Sequence, residues 1–341
     1  MTEKKRATIR EVAEVADVSI ATVSRVLNKH ETVDPRLAKR VRRAVEELGY
    51  IPNLSGRTLR GKNSRIFAAI VPNLMDPFYV DVISAFEQVV SEHGYHVLLC
   101  NSNEKRNQER TNLRVLKEQN LAGLLFAPVA ELPGEVEEMY QSGSAIVLLD
   151  RPVADTSIPW VGTDYENVGR VVANFLRSKG VQKPLVASSR TMDSPLDERA
   201  DAFWNSWNNA EDVRCEINVD YVAPPAMSTI TDELNQCMAS VDAVFCTNGP
   251  VTRIVYDALY RQLLNPAETL IFLGFDNSPW CSLVTPSPTL VEQKVENIGA
   301  QAALVLISQI EGEKEAEERK PIDSTTLQLE VSIKERQTTP A

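Results

Sequence analysis

Two sets of side chains in this 341-residue sequence have the types and spacing to do chemistry, and both suit binding. The first lies in "TIREVAEVADVSIATVSRVLN" at 8–28. Ile20, Ala21 and Thr22 are compact enough to let a backbone approach base edges, and Arg25, one turn on, reaches guanine O6 and N7. Thr8, Ser19, Thr22, Ser24 and Asn28 offer short donors suited to phosphate. The second set follows a series of apolar runs: Asp76, Phe78 and Tyr79 after "IFAAIVP", Asp150 at the end of "AIVLLD", Arg199 beyond "PLVASSR", Asn248 ending "DAVFCTN" and Asp276 within "LIFLGFDN". Carboxylates and amides bond hydroxyls, a guanidinium bonds ring or carbonyl oxygens, and aromatic rings stack on the apolar face of a sugar. Polar residues are common at strand ends, so the joint placement carries the weight.

Catalytic and metal patterns are missing. The three histidines (30, 93 and 96) lack metal-ligand spacing, and no HExxH, GxSxG, GxGxxG or P-loop pattern occurs. Asp150 and Asp276 form a carboxylate pair that in principle serves glycoside hydrolysis. The reading favoured here is no enzyme, no metal and no cofactor.

The elements that must position the first set are three short helices. Thr8 and Glu11 have capping-box spacing, and Val12, Ala13, Val15 and Ala16 supply one apolar face. Asp17-Val18 makes a turn and Ser19 caps a second helix carrying Val23, Val26 and Leu27. Asp34, Pro35 and Gly49 punctuate a third, with Leu37, Val41, Ala44, Val45 and Leu48 in one stripe and Lys39, Arg40, Arg42 and Arg43 mostly opposite. Two helices across a tight turn, closed by a third, make a helix-turn-helix, whose second helix enters the major groove. Beyond it, Asn53 can cap a short helix over roughly 54–60. By composition alone, Leu59 in "NLSGRTLRGKNS" is a linker leucine that docks on the surface of the body.

The second set rests on alternating apolar runs and helical stretches. Runs at 66–72, 95–101, 123–129 and 145–152 form one series, and runs at 184–190, 218–224, 242–248 and 270–277 a second. Unbroken apolar runs suit parallel strands covered on both faces. The fold class expected is therefore an all-α head followed by an α/β body of two doubly wound parallel-sheet subdomains, with ligands beyond the carboxyl ends of the strands. Trp204 and Trp207 read as packing residues, while Trp280, just past Asp276, is a candidate for the cleft.

Charge separates the same two regions. Residues 1–65 hold 15 Lys and Arg against 8 Asp and Glu, and the remainder holds 21 against 39. A basic head on an acidic body suits a polyanion at the head alone. Five cysteines without a CxxC pair, no apolar stretch of membrane-spanning length and no apolar run behind the basic N-terminus point to a cytoplasmic protein with reduced thiols.

"TIREVAEVADVSIATVSRVLN" followed by "GYIPN" resembles the head of the lactose/galactose repressor (LacI/GalR) family of transcriptional regulators. The resemblance implies that Ile20, Ala21 and Arg25 read bases, and that Thr8, Ser19, Thr22, Ser24 and Asn28 chiefly hold phosphate. It implies a hinge helix over 53–63, with Asn53 and Arg57 at the DNA and Leu59 prying apart the central base step of the operator in the minor groove. It extends over the body, where it implies a periplasmic sugar-binding-protein-like fold with three crossovers, near 160–163, 288–292 and 318–323. The effector positions it implies are Asp76, Phe78, Tyr79, Asp150, Arg199, Tyr221, Asn248 and Asp276. Several positions depart from the family pattern: Leu37 and Gly56 in the head and hinge, Ser189-Arg190, Ala202, and Gly249-Pro250 after Asn248.

The boundaries expected are 1–52 for the head, 53–63 for the hinge and 64–341 for the body. Within the body an N-subdomain covers about 64–162 and 291–320, and a C-subdomain about 163–290 and 321–336. The function expected is that of a homodimeric repressor on double-stranded, pseudo-palindromic operator DNA, controlled by a small-molecule effector, a monosaccharide or nucleoside, without membrane association. The competing reading is a sugar-binding or sugar-modifying protein whose head is incidental.

Overall fold

Thr8 opens the first helix by a complete capping box. Its Oγ1 accepts from Glu11 N at 3.3 Å, and Glu11 Oε2 accepts from Thr8 N at 2.6 Å. The computed structural model describes residues 7–27, 33–50, 64–190, 197–207, 214–223, 226–261, 270–311 and 326–339. Its contacts divide the chain into two units, Met1–Asn63 and Ser64–Ala341.

The first unit holds α1 (Ile9–Val15), α2 (Ile20–Leu27) and α3 (Pro35–Leu48). Ser19 starts α2 by accepting from Thr22 N at 3.1 Å. Asp34 starts α3 by accepting from Arg36 N at 2.7 Å, with Pro35 behind it, and Gly49 ends it in the left-handed region at φ 57°. Val12, Ala13, Ala16, Val23, Val26, Val41 and Ala44 form the core. Val15, expected on the apolar face, is 49% exposed, and the buried face of α1 is made by Val12 and Ala13 with Ala16 just beyond. Asp17 itself takes φ 47°, and Arg40 of α3 braces it at 2.8 Å.

The second unit contains two lobes. The first is built from β1 (Ile66–Val71), α4 (Pro77–Glu92), β2 (His96–Asn101), α5 (Arg106–Lys117), β3 (Gly123–Phe126), α6 (Gly134–Gln141), β4 (Ile146–Leu149) and β5 (Trp160–Thr163). The second holds α7 (Tyr165–Ser178), β6 (Pro184–Ser188), α8 (Glu198–Trp207), β7 (Cys215–Asn218), α9 (Met227–Met238), β8 (Ala243–Cys246), α10 (Gly249–Tyr256), β9 (Ile271–Phe275) and β10 (Thr289–Glu292). The chain then returns to the first lobe as α11 (Val295–Glu311) and β11 (Thr326–Leu329), and ends in the second as β12 (Ser332–Lys334).

The first sheet runs β11-β5-β4-β3-β1-β2 and is wholly parallel; the second runs β12-β10-β9-β8-β6-β7, with β12 alone antiparallel. Both sheets are therefore doubly wound in the same order. Alternation along β1 shows why: Phe67, Ala69 and Val71 face α4 and α11, while Ala68 and Ile70 face α5 and α6. Two glycines allow close helix contacts. A Cβ on Gly299 of α11 would overlap the Val82 carbonyl of α4, and one on Gly169 of α7 the Ala202 carbonyl of α8.

Several expected boundaries shift. The crossovers lie at 164, at 293–294 and at 330–331, because Trp160–Thr163 and Thr289–Glu292 are strands and Thr326–Leu329 pairs with β5. The stretch 326–329 thus belongs to the first lobe, and Val291 and Glu292 to the second. The strand expected at 218–224 is Cys215–Asn218, after which the chain bends. Helix α4 starts at Pro77, directly after Asp76, since Asp76-Pro77 is a helix-start pair.

Candidate functional site

On α2, Ile20 is 44% exposed, and Ala21 and Arg25 are exposed as well, so the three residues expected to meet bases all face solvent. Ile20 stands outside the apolar core that the described residues of its unit form. The residues expected at phosphate are differently placed. The Thr8 hydroxyl donates to Glu11 at 3.0 Å, and the hydroxyls of Ser19 and Thr22 bond each other at 2.9 Å. Two of these side chains, Thr8 and Ser19, therefore fix helix starts, and Ser24 is half-buried. Asn28 and the hinge residues Asn53, Arg57 and Leu59 lie outside the described residues, as does Gly56.

In the body, the strand ends converge. A cavity of about 540 Å³ between the lobes is lined by all eight side chains singled out in the sequence: Asp76, Phe78, Tyr79, Asp150, Arg199, Tyr221, Asn248 and Asp276. Topology explains the convergence. Asp76 follows β1, Ser189 follows β6 and Asn248 follows β8, the strands at which each sheet reverses direction of winding.

Asp150 is the most heavily bonded group. It follows β4, takes φ 65° and is 3% exposed. Its Oδ2 accepts from the Tyr79 hydroxyl at 2.6 Å, and its Oδ1 from Tyr165 at 3.2 Å and from Arg199 Nη2 at 2.9 Å. Arg199, from the second lobe, lies over the Tyr165 and Phe275 rings at 4.7 and 5.2 Å. Burial and the Asp150 charge raise the Tyr79 and Tyr165 hydroxyls well above their ordinary range, so both remain donors.

Asp76 caps α4 through Phe78 N at 3.1 Å, and Asn248 caps α10 through Val251 N at 2.9 Å. Asp276 takes φ 62°, and its Oδ1 accepts from Gln293 at 2.8 Å. Burial, reinforced by the charge of Asp276, raises the Asp76 carboxyl, and burial also raises that of Asp276.

Sequence reasoning missed a second group at this cavity: Glu104, Arg151, Tyr165, Ser189 and Gln293. Glu104 is the most informative. It and Asn103 both adopt left-handed backbone, φ 55° and 52°, and the carboxylate is buried. It holds Arg151 at 2.8 Å and accepts from Tyr221 at 2.7 Å. Glu104, Asp150 and Asp276 thus all sit on strained turns, and such outliers persist where the surroundings over-determine them. Trp280 does not line the cavity; it packs on Tyr256 at 5.2 Å. Trp204 and Trp207 pack on Phe203 in the second-lobe core.

The arrangement suits holding a hydroxylated ligand. Asp150 accepts three hydrogen bonds, from donors of both lobes, and the roughly four lone pairs of a carboxylate leave it room for one more donor. Among the described residues no three His, Cys, Asp or Glu side chains are grouped to hold a metal ion, and no helix is long and apolar enough to cross a membrane.

Two family models match the chain. "Bacterial regulatory proteins, lacI family" matches residues 8–53, and "Periplasmic binding proteins and sugar binding domain of LacI family" matches residues 64–330. The ribose operon repressor of Halalkalibacterium halodurans is 30% identical over 332 residues, 97% of each chain. The transcriptional repressor CytR of Escherichia coli is 28% identical over 91% of this chain and 92% of its own. Among solved structures, the lac repressor dimer bound to operator and the anti-inducer ONPF superposes with a TM-score of 0.80 at 21% identity, covering 99% of this chain and 100% of that one.

Proposed function

The chain belongs to the lacI family of bacterial regulatory proteins, and from that premise we propose that it is a homodimeric transcriptional repressor whose hold on operator DNA is set by a small molecule in the interlobe cleft. The observation that carries the DNA half is the exposed row Ile20, Ala21 and Arg25 on the second helix of a helix-turn-helix. Arg25 donates to guanine, Ile20 and Ala21 make apolar contact with base edges, and the basic head supplies phosphate contacts. Leu59 enters the central base step, flanked by Arg57.

The effector half rests on the cleft. Ligand binding couples to DNA through closure: a ligand bonded to Asp76 and Asp150 on one lobe and to Arg199, Asn248 and Asp276 on the other favours one spacing of the lobes over another. A ligand shifts that equilibrium only by its differential affinity for the two states. The ligand is a monosaccharide or nucleoside; no cofactor, metal or catalytic step is involved, and the protein works in the cytoplasm. The ribose operon repressor and the lac repressor bound to operator support this reading as relatives.

Selection of duplexes from a random DNA pool by the full-length chain tests it. The expected product is one enriched pseudo-palindrome whose retention falls steeply with salt. A pool that stays random, or retention by the acidic body alone, would support the competing reading of a sugar-binding protein with an incidental head.

A further inference from the structure

The charges of the cleft are unevenly matched. Arg199 answers Asp150 at 2.9 Å, and Arg151 answers Glu104 at 2.8 Å. Asp197 is taken up by the Thr247 hydroxyl at 2.6 Å and by the backbone N–H groups of Ser189 and Ala200. Asp76 and Asp276 are in no ion pair among the described residues. They come from opposite lobes and face one point: a Cβ on Gly249 would lie 3.3 Å from Asp276 Oδ2 and 3.8 Å from Asp76 Oδ1. Position 249, being glycine, puts no side chain of its own at that point.

Both carboxylates keep lone pairs in reserve. Asp76 is 8% exposed, yet its hydrogen bond from Phe78 N engages Oδ1 alone. Gln293 donates to Oδ1 of Asp276, and Oδ2 lies toward Gly249, whose backbone N–H also bonds this carboxylate. The other charges facing the pair are Asp150 and Arg199, already bonded to each other. Burial raises both carboxyls, so the pair retains a proton that a stronger cation would displace. Independently, Arg199 Nε and Ser189 Oγ are buried, line the same cavity and have no hydrogen-bond partner. Buried polar atoms without partners at a cavity wall mark where ligand atoms belong.

We propose that the ligand of this cleft carries a protonated amine beside its hydroxyl groups, as an amino sugar does, and that its ammonium sits between Asp76 and Asp276. The N–H groups of the ammonium donate to the remaining lone pairs of the two carboxylates, while Arg199 Nε donates to a ring or hydroxyl oxygen. A ligand carboxylate or phosphate at the same place meets two carboxylates and is excluded. The proposal rests on the cleft being the effector site and narrows what that site takes.

The test is calorimetric titration of the full chain at pH 7 with three matched sets: glucosamine, galactosamine and mannosamine, their neutral parents, and the corresponding uronic acids. At least one amine is expected to bind ten times or more tightly than its parent and its acid. In Asp76→Asn the ratio of amine to parent affinity is expected to fall to about one, a ratio that does not depend on how much of the variant is folded. A parent or acid that matches its amine, a ratio unchanged in Asp76→Asn, or three amines that all fail to bind would overturn the proposal. If a neutral or acidic sugar binds and Arg199→Ala abolishes it, the cleft reading stands and the amine alone falls. If no sugar of any set binds, nucleosides are titrated in turn, and a cleft that takes neither loses both readings.

Discussion

Tyr221 donates its phenolic hydrogen to Glu104 Oε1 at 2.7 Å, and this bond joins the two lobes from the ends of corresponding edge strands, β7 and β2. Glu104 also holds Arg151, which reaches the carbonyls of Pro128 and Val129. One carboxylate thus braces the first lobe internally and fastens it to the second.

The two duties separate by substitution. Tyr221→Phe removes one interlobe hydrogen bond and is expected to cost about 1 kcal/mol. Glu104→Ala leaves the half-buried Arg151 without its charge partner and is expected to cost about 3 kcal/mol, the low end for breaking a buried pair. Denaturant unfolding of the two variants measures the difference. Equal losses would mean that the bond to Tyr221, and not the pair with Arg151, carries the structural role of Glu104.

Glu109 gives the body a dependence on pH. It is 2% exposed, accepts from Val129 N at 2.7 Å, and its carboxyl is pushed up to about 7, chiefly by burial, against the opposing pull of that hydrogen bond, Arg151 and Arg106. A carboxyl raised in the folded state favours folding least above its folded value, so stability from this group is lost as pH rises from the ordinary carboxyl range through about 7. Glu109→Gln keeps an acceptor and removes the charge. Its melting temperature relative to the parent is expected to be higher at pH 8 than at pH 5; the opposite order would contradict the burial argument.

Arg25 should carry base discrimination rather than bulk affinity. Arg25→Ala is expected to weaken binding to the selected duplex by about 1–3 kcal/mol and to relax the choice of base at one position of each half-site. Anisotropy titrations with point-substituted duplexes read this directly. A uniform loss across all sequences would reassign Arg25 to phosphate.

The part of the cleft legible in the sequence is the part that follows strand ends. Asp76, Asp150, Asn248 and Asp276 could be found because parallel strands are apolar runs and their carboxyl ends share one side of a sheet. Glu104 escaped because two left-handed residues turn the chain back after β2, and neither is glycine. Tyr165 and Gln293 escaped because both stand at crossovers, whose direction is a tertiary property. The crossovers themselves were misplaced since β5, β10, β11 and β12 are only three or four residues long. In so short a strand, pairing with a neighbour outweighs any pattern of its own.

Coupling between the cleft and the DNA is the central claim, and one measurement addresses it most directly: the affinity of the full-length chain for the selected duplex, with and without a saturating cleft ligand, at fixed salt. The parent chain is expected to show a change of roughly 5- to 150-fold, and Arg199→Ala, which breaks the contact to Asp150, is expected to show little or none. Identical affinities with and without ligand in the parent chain would contradict the account.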